Sequence, residues 1–272
     1  MKNIALCIHG YFSNKDNDNL LLKNYIYDNI ISKIISENNI YIFIHSFDIE
    51  NKSKILVKYP SVTNSTIEPQ IDFTKELDED NKEFVNAFLK ENPGESWFST
   101  LSFLYSRKQS ILLAIEHSNL YNINYHHILV CRFDVGIRCK TVEYTGTNPC
   151  HINNYDPNIE NESLYSRFWT QINAGYADYW FFSNPTNMLI VANMYDYVLN
   201  TMFKLNSDYI QTLTTNWPHS NKYNAFSNEI LSNTINNIEH NTKYNFVNSS
   251  NNHLLYKYYF MKTGLFYKTK YI

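Results

Sequence analysis

The sequence predicts an α/β fold built on a mostly parallel sheet. Two observations carry this expectation. Apolar runs of strand length alternate with stretches of helical periodicity through the first half of the chain. The runs are apolar at consecutive positions, as strands covered on both faces must be. Strand–helix alternation of this kind gives parallel strands joined by helical crossovers. A chain of 272 residues can bury one large core, and no repeat or linker divides it, so a single domain over 1–272 is expected.

The elements follow in order. Residues 3–9 form a short strand that Gly10 breaks. Residues 19–36 carry Leu20, Leu21, Ile26, Ile30, Ile31 and Ile34 at helical spacing. Residues 40–45, Ile-Tyr-Ile-Phe-Ile-His, form a second buried strand. A polar stretch follows, with a short strand near Ile67. Residues 99–118 read as a helix with Ser99 or Thr100 as its cap. Residues 127–133 form a third buried strand ending at Asp134. Beyond it, 140–166 reads as a long loop with few core residues. Residues 177–183 form a strand, and Pro185 opens a helix running to about Met202. Residues 228–238 form a further helix capped by Ser227 or Asn228. From His253 on, the tail mixes Lys257, Lys262, Lys268 and Lys270 with seven aromatic residues.

Composition narrows the class. Hydrophobic residues make up 44% and aromatics 16%, which argues against a disordered chain. The formal net charge is −3, where a general nucleic-acid binder would carry a basic excess. Cys7, Cys131, Cys139 and Cys150 form no C-x-x-C pair, so neither a zinc site nor a redox dithiol is expected. Cys7 and Cys131 lie in apolar runs and read as buried free thiols, which suits a reducing, cytoplasmic setting. The opening strand is too short for a signal-peptide core, and no run of 18 apolar residues occurs, so no membrane span is expected.

Open parallel sheets bind ligands beyond the carboxyl ends of their strands. Three strands end in polar or small residues: His9-Gly10-Tyr11, His45-Ser46-Phe47-Asp48 and Arg132-Phe133-Asp134. As neighbours, they would share one crevice. Asp134, preceded by an arginine, can hold a divalent cation or a ribose; its plainer role is a pair with Arg132 that stitches the loop. Arg107 and Lys108 lie on the preceding helix and can serve a diphosphate, although a solvated helix face accounts for at least one of them. Asp178 begins an apolar strand, and Glu229 begins a helix whose dipole it also complements.

A strand followed by His-Gly also suits the oxyanion strand of an α/β-hydrolase. The nucleophile elbow that fold requires is incomplete here: Gly94-Glu95-Ser96-Trp97-Phe98 lacks the second glycine. With six glycines in the chain, no dinucleotide or P-loop pattern occurs.

The ordered segments resemble a family of viral and bacterial glycosyltransferases of surface-polysaccharide synthesis. Ile4-Ala5-Leu6-Cys7-Ile8-His9-Gly10 is similar to its opening strand and donor loop, and Phe43-Ile44-His45-Ser46-Phe47-Asp48 to its second strand. Tyr59-Pro60, Ile67-Glu68-Pro69-Gln70 and Phe73 resemble its next block. Leu104-Tyr105-Ser106 with Lys108 and Ser110 resembles the following helix. Val130-Cys131-Arg132-Phe133-Asp134 resembles its Arg-x-Asp strand end, and Ala177-Asp178-Tyr179-Trp180-Phe181-Phe182 its second-half strand.

The resemblance implies a GT-A-like fold: a central mostly parallel sheet flanked by helices. It implies a nucleotide-sugar-binding half over 1–140 and an acceptor-side half with the tail over 141–272. The expected activity is transfer of a sugar from a nucleotide-diphosphosugar to a hydroxyl of a glycan or glycolipid. His9, Gly10, Tyr11 and Phe12 would line the nucleotide, with His45 and Asp48 bordering the pocket. Arg132 and Asp134 would handle the diphosphate, with Lys108 and Phe133 also at the donor site, and Asp134 would stand in the place of the metal motif for Mn²⁺ or Mg²⁺. Val135-Gly136 follows it, so a second carboxylate at that spacing is missing. Asp178, then Glu229, is expected to bind the acceptor or take its proton. The tail has two readings, a peripheral membrane contact near a lipid-linked acceptor or a packed terminal element. The cytoplasm is the expected compartment, of the host cell in a viral setting. The rival function is carbohydrate or nucleotide binding without catalysis, with Tyr and Trp stacking on sugars.

Overall fold

A computed structural model describes residues 1–12, 26, 30–91, 97–135, 152, 155–167, 176–214 and 252–272. Its elements are β1 (Asn3–His9), α1 (Ser32–Ile35), β2 (Asn39–Ser46), α2 (Lys52–Lys58), β3 (Val62–Ile67), α3 (Glu79–Glu91), α4 (Trp97–Tyr121) and β4 (Tyr125–Arg132). Then come β5 (Leu164–Ser166), β6 (Trp180–Ser183), α5 (Pro185–Tyr197), α6 (Asp208–Thr214), α7 (Asn252–Thr263) and β7 (Thr269–Tyr271). One seven-stranded sheet has the order β3-β2-β1-β4-β6-β5-β7. β1 pairs parallel with β2 and β4, and β2 with β3. β6 runs antiparallel to both β4 and β5, and β7 is parallel to β5. The expected α/β class and mostly parallel sheet are observed, and one strand of the sheet runs against the rest.

Strand alternation divides the core into two layers. Ala5, Cys7, Phe43, Ile128, Val130 and Phe181 face one layer with α3, α4, α5 and α7. Ile4, Leu6, Ile8, Ile42, Ile44, Leu129, Cys131, Trp180 and Phe182 face the other, with Ile26, Ile30, Ile34 and Ile55. Every second side chain points to the same face, and both faces are covered, so the runs are apolar at consecutive positions. Cys7 and Cys131 are buried and free, and lie in opposite layers.

Several sequence expectations need correction. The polar stretch after β2 contains α2 and α3. Asp78 and Asn81 start α3 reciprocally: the Asn81 N–H donates to Asp78 Oδ1 at 2.8 Å and the Asp78 N–H to Asn81 Oδ1 at 3.2 Å. Phe84, Val85 and Phe88 then give α3 a buried face, each such side chain contributing about 1.5–3 kcal/mol. Ser99 and Thr100 do not cap α4 but lie in its first turn, since the helix opens at Trp97. Within 140–166, β5 and buried Ile152, Tyr155, Leu164 and Tyr165 contribute to the core. Asn184 caps α5, accepting from the Asn187 N–H at 2.9 Å, with Pro185 behind it as expected. Leu20, Leu21 and the 228–238 helix lie outside the described residues. The tail forms α7 and β7, with Leu254 through Phe260 buried. No described helix is long and apolar enough to cross a membrane.

Candidate functional site

The sheet order puts β1 between β2 and β4, so the chain leaves β1 to one side first and returns on the other. Such a switch point opens a crevice at the carboxyl ends of the strands. The register aligns His9 with His45 on one side and with Arg132 on the other. The three form one row, on the face that α4 covers. The three strand ends are therefore neighbours.

A cavity of about 450 Å³ opens there. His9, Gly10, Tyr11, Arg132, Phe133, Asp134 and Asp178 line it. Phe47, Gln70, Phe98 and Phe103 add to its aromatic and amide wall, and Asn252 comes from α7. Ser99, Ser102 and Ser106 also face it. They recur three and four residues apart on α4, so one stripe of hydroxyls runs along the face that the helix turns to the cavity. That spacing was the signal in the sequence that could have marked α4 as a wall.

Gly10 has φ +100°, and a Cβ there would meet nothing within 4 Å. The glycine is required by the backbone angle rather than by space. Its N–H donates to Ser106 Oγ at 3.0 Å, and its carbonyl accepts from Ser46 Oγ at 2.7 Å. The turn sends Tyr11 to the cavity, where its hydroxyl donates to Gln70 Oε1 at 2.9 Å. Ser102 Oγ donates to the same oxygen at 2.9 Å.

Four expected site residues lie elsewhere. Phe12 points into the opposite core layer, edge-on to Phe133 at 5.5 Å. It shares that layer with Ile4, Leu6 and Ile8, so the alternation of β1 carries on past Gly10. His45 is fully buried behind the wall, its Nδ1 2.9 Å from Ser106 Oγ and its Nε2 3.1 Å from Glu68 Oε1. Burial lowers its pKa, against the opposing pull of Glu68. Asp48 accepts both its hydrogen bonds from Asn51 Nδ2, at 2.9 and 3.1 Å, and opens a 3₁₀ turn. Lys108 reaches away to Asp196 at 2.7 Å and ties α4 to α5. Glu229 and Ser96 lie outside the described residues.

The charged end of the cavity is built around two arginines. Arg132 donates from Nε and Nη2 to the two oxygens of Asp134, at 2.7 and 2.6 Å. Its Nη1 lies 3.4 Å from Asp178 Oδ1. Burial works against the charge of Arg132, but Asp178 and Asp134 outweigh it and raise its pKa. Asp178 is buried, which works against its charge; Arg132, His253 and Arg107 prevail and lower its pKa. It stays a carboxylate and makes a weak base.

Arg107 does not face solvent: it is 1% exposed. It donates to His9 Nε2 at 3.1 Å, to the Tyr256 hydroxyl and to the Asp178 carbonyl. The rings of Phe103, Phe181 and Tyr256 surround its guanidinium at 4.5, 5.0 and 5.2 Å. Burial lowers its pKa, opposed by Tyr256 and Asp178. Because His9 Nε2 accepts from Arg107, the ring proton sits on Nδ1. Burial and the two arginines keep His9 neutral, with its pKa well below the ordinary value.

The resemblance implies Mn²⁺ or Mg²⁺ at Asp134. Both Asp134 oxygens already accept from the Arg132 fork. Among the described residues, no group of three His, Cys, Asp or Glu side chains could hold a metal ion. These residues do not fit a resident divalent cation. The chain matches no family model, no curated protein and no solved structure.

Proposed function

We propose that this chain is a glycosyltransferase of GT-A-like fold, moving a sugar from a nucleotide-diphosphosugar to a hydroxyl acceptor. One observation carries the reading. The cavity at the β1/β4 switch point has an aromatic, amide-lined end and a charged end holding Arg132, Asp134 and Asp178. Its volume of about 450 Å³ suits a compact ligand. Tyr11, Phe47, Phe98 and Phe103 suit a planar base, and Gln70 an amide edge. Arg132 suits a diphosphate leaving group, whose developing charge is what catalysis must stabilise. In this reading Asp178 contacts the acceptor, since its pairing with Arg132 makes it a poor proton acceptor.

A second reading is binding without catalysis. It is favoured by the pairing of both cavity carboxylates, Asp134 and Asp178, with Arg132. A thermal-shift screen of nucleotide sugars, followed by a hydrolysis assay on each hit, separates the two. Transfer or hydrolysis that Asp134→Ala abolishes supports the enzyme. Stabilisation without turnover, acceptor mixtures included, supports the binding protein, and no stabilisation by any nucleotide sugar refutes both. Esterase activity sensitive to Ser96→Ala would instead revive the hydrolase.

A further inference from the structure

We propose that Arg132 is a built-in cation of this site, holding Asp134 and Asp178 together so that an anionic ligand is taken without a divalent metal ion. The proposal rests on reading the cavity as a diphosphate site. Asp134 follows the end of β4 and Asp178 precedes β6, so two chain segments bring carboxylates to one point. A divalent ion commonly bridges such a pair. Here a guanidinium lies between them, with Nε and Nη2 on Asp134 and Nη1 on Asp178.

The guanidinium is held in that position. It lies over the Tyr179 ring at 4.7 Å, and the Arg132 N–H donates to the Tyr179 carbonyl at 3.1 Å. Guanidinium carries five N–H donors, of which these carboxylates engage three. The remaining donors on Nη1 and Nη2 can meet phosphate oxygens while the carboxylate pairs stay in place.

Arg107 strengthens the argument. Its three hydrogen-bond partners, His9 Nε2, the Tyr256 hydroxyl and the Asp178 carbonyl, are all neutral. Its charge therefore balances the second carboxylate through space. Among the described residues, two arginines and two carboxylates offset one another at this point. A dication would find both carboxylates already engaged by Arg132, with a fixed guanidinium between them. A phosphate can instead take up the guanidinium N–H groups that the carboxylates leave open.

Uptake of Mn²⁺ alone, followed by loss of the free-ion electron paramagnetic resonance signal, tests the proposal without any nucleotide. Wild type is expected to leave the signal undiminished. Arg132→Ala exposes the two carboxylates and is expected to take up one ion, and a further Asp134→Asn change should abolish that uptake. Stoichiometric uptake by wild type that Asp134→Asn abolishes overturns the proposal. So does a folded Arg132→Ala protein that takes up none, because the carboxylates then make no cation site. Arg132→Gln replaces the alanine variant if that one does not fold, and the wild-type result decides if neither does. In parallel, nucleotide sugars are screened by thermal shift with EDTA and with Mn²⁺. Equal shifts are expected; a shift that needs Mn²⁺ overturns the metal-free site. No shift in either condition removes the nucleotide-sugar reading and leaves the Mn²⁺ result standing on its own.

Discussion

His127 offers a test of the fold that needs no knowledge of substrate. It lies fully buried on β4, and among the described residues neither ring nitrogen meets a partner in hydrogen-bond geometry, the Glu160 backbone opposing its burial only weakly. Phe182 and Tyr155 face its ring at 5.3 and 6.0 Å, and His126 lies 4.4 Å away. Burial first, then the charge of His126, pushes its pKa down to about 4. An unfolded histidine titrates near about 6.5, so between these values the unfolded chain binds more protons than the folded one. Stability from this group is therefore full above about pH 6.5 and falls as pH drops towards 4, by about 3 kcal/mol in all. His127→Phe keeps a planar ring and removes both unsatisfied nitrogens. The measurement is urea unfolding of wild type and variant at several values between pH 7 and 4.5. The variant should match or exceed wild-type stability at pH 7, and its advantage should grow by more than about 1 kcal/mol per pH unit in the lower part of the window. Parallel curves for the two proteins would refute the reasoning, because they would mean that the imidazole accepts its proton without leaving the core.

Three further outcomes test the site's construction. Phe12→Ala should lose about 3–5 kcal/mol in denaturant unfolding, whereas Tyr11→Ala, at a side chain 53% exposed, should lose under about 1 kcal/mol and weaken ligand binding instead. Gly10→Ala should lose about 1–2 kcal/mol through its φ of +100° alone, and a crystal structure of the variant should show the β1 loop rebuilt. Ser106→Ala leaves the Gly10 N–H and His45 Nδ1 without their shared partner, so a loss of about 1–3 kcal/mol is expected by thermal or urea unfolding, together with faster amide exchange at Gly10.

The core strands were legible because burial on both faces demands apolar residues at consecutive positions, and residues 4–8 of β1, 40–44 of β2 and 128–131 of β4 satisfy that demand. α3 was missed because its buried Phe84, Val85 and Phe88 are set among six charged residues from Glu79 to Glu91. β5 was missed because a three-residue strand has too few positions to show a period. β6 was legible as a strand but not as the antiparallel one, since direction is set by which neighbour it pairs with.

The site divides along the same line. By itself the sequence determined that polar residues end the apolar strands, because a chain must leave a buried sheet at its edges, and this marked His9-Gly10-Tyr11 and Arg132-Phe133-Asp134. Tertiary structure alone decided which polar groups remain available to a ligand. Arg107, on a helix that could have faced water, became a buried cation under the cavity floor. Lys108, the next residue, turned away to Asp196. Asp134 and Asp178, separated by 44 positions in the numbering, met on one guanidinium. Sequence spacing fixes which face of an element a side chain occupies. Only the packing of elements fixes which charge it meets there, and that meeting sets the chemistry.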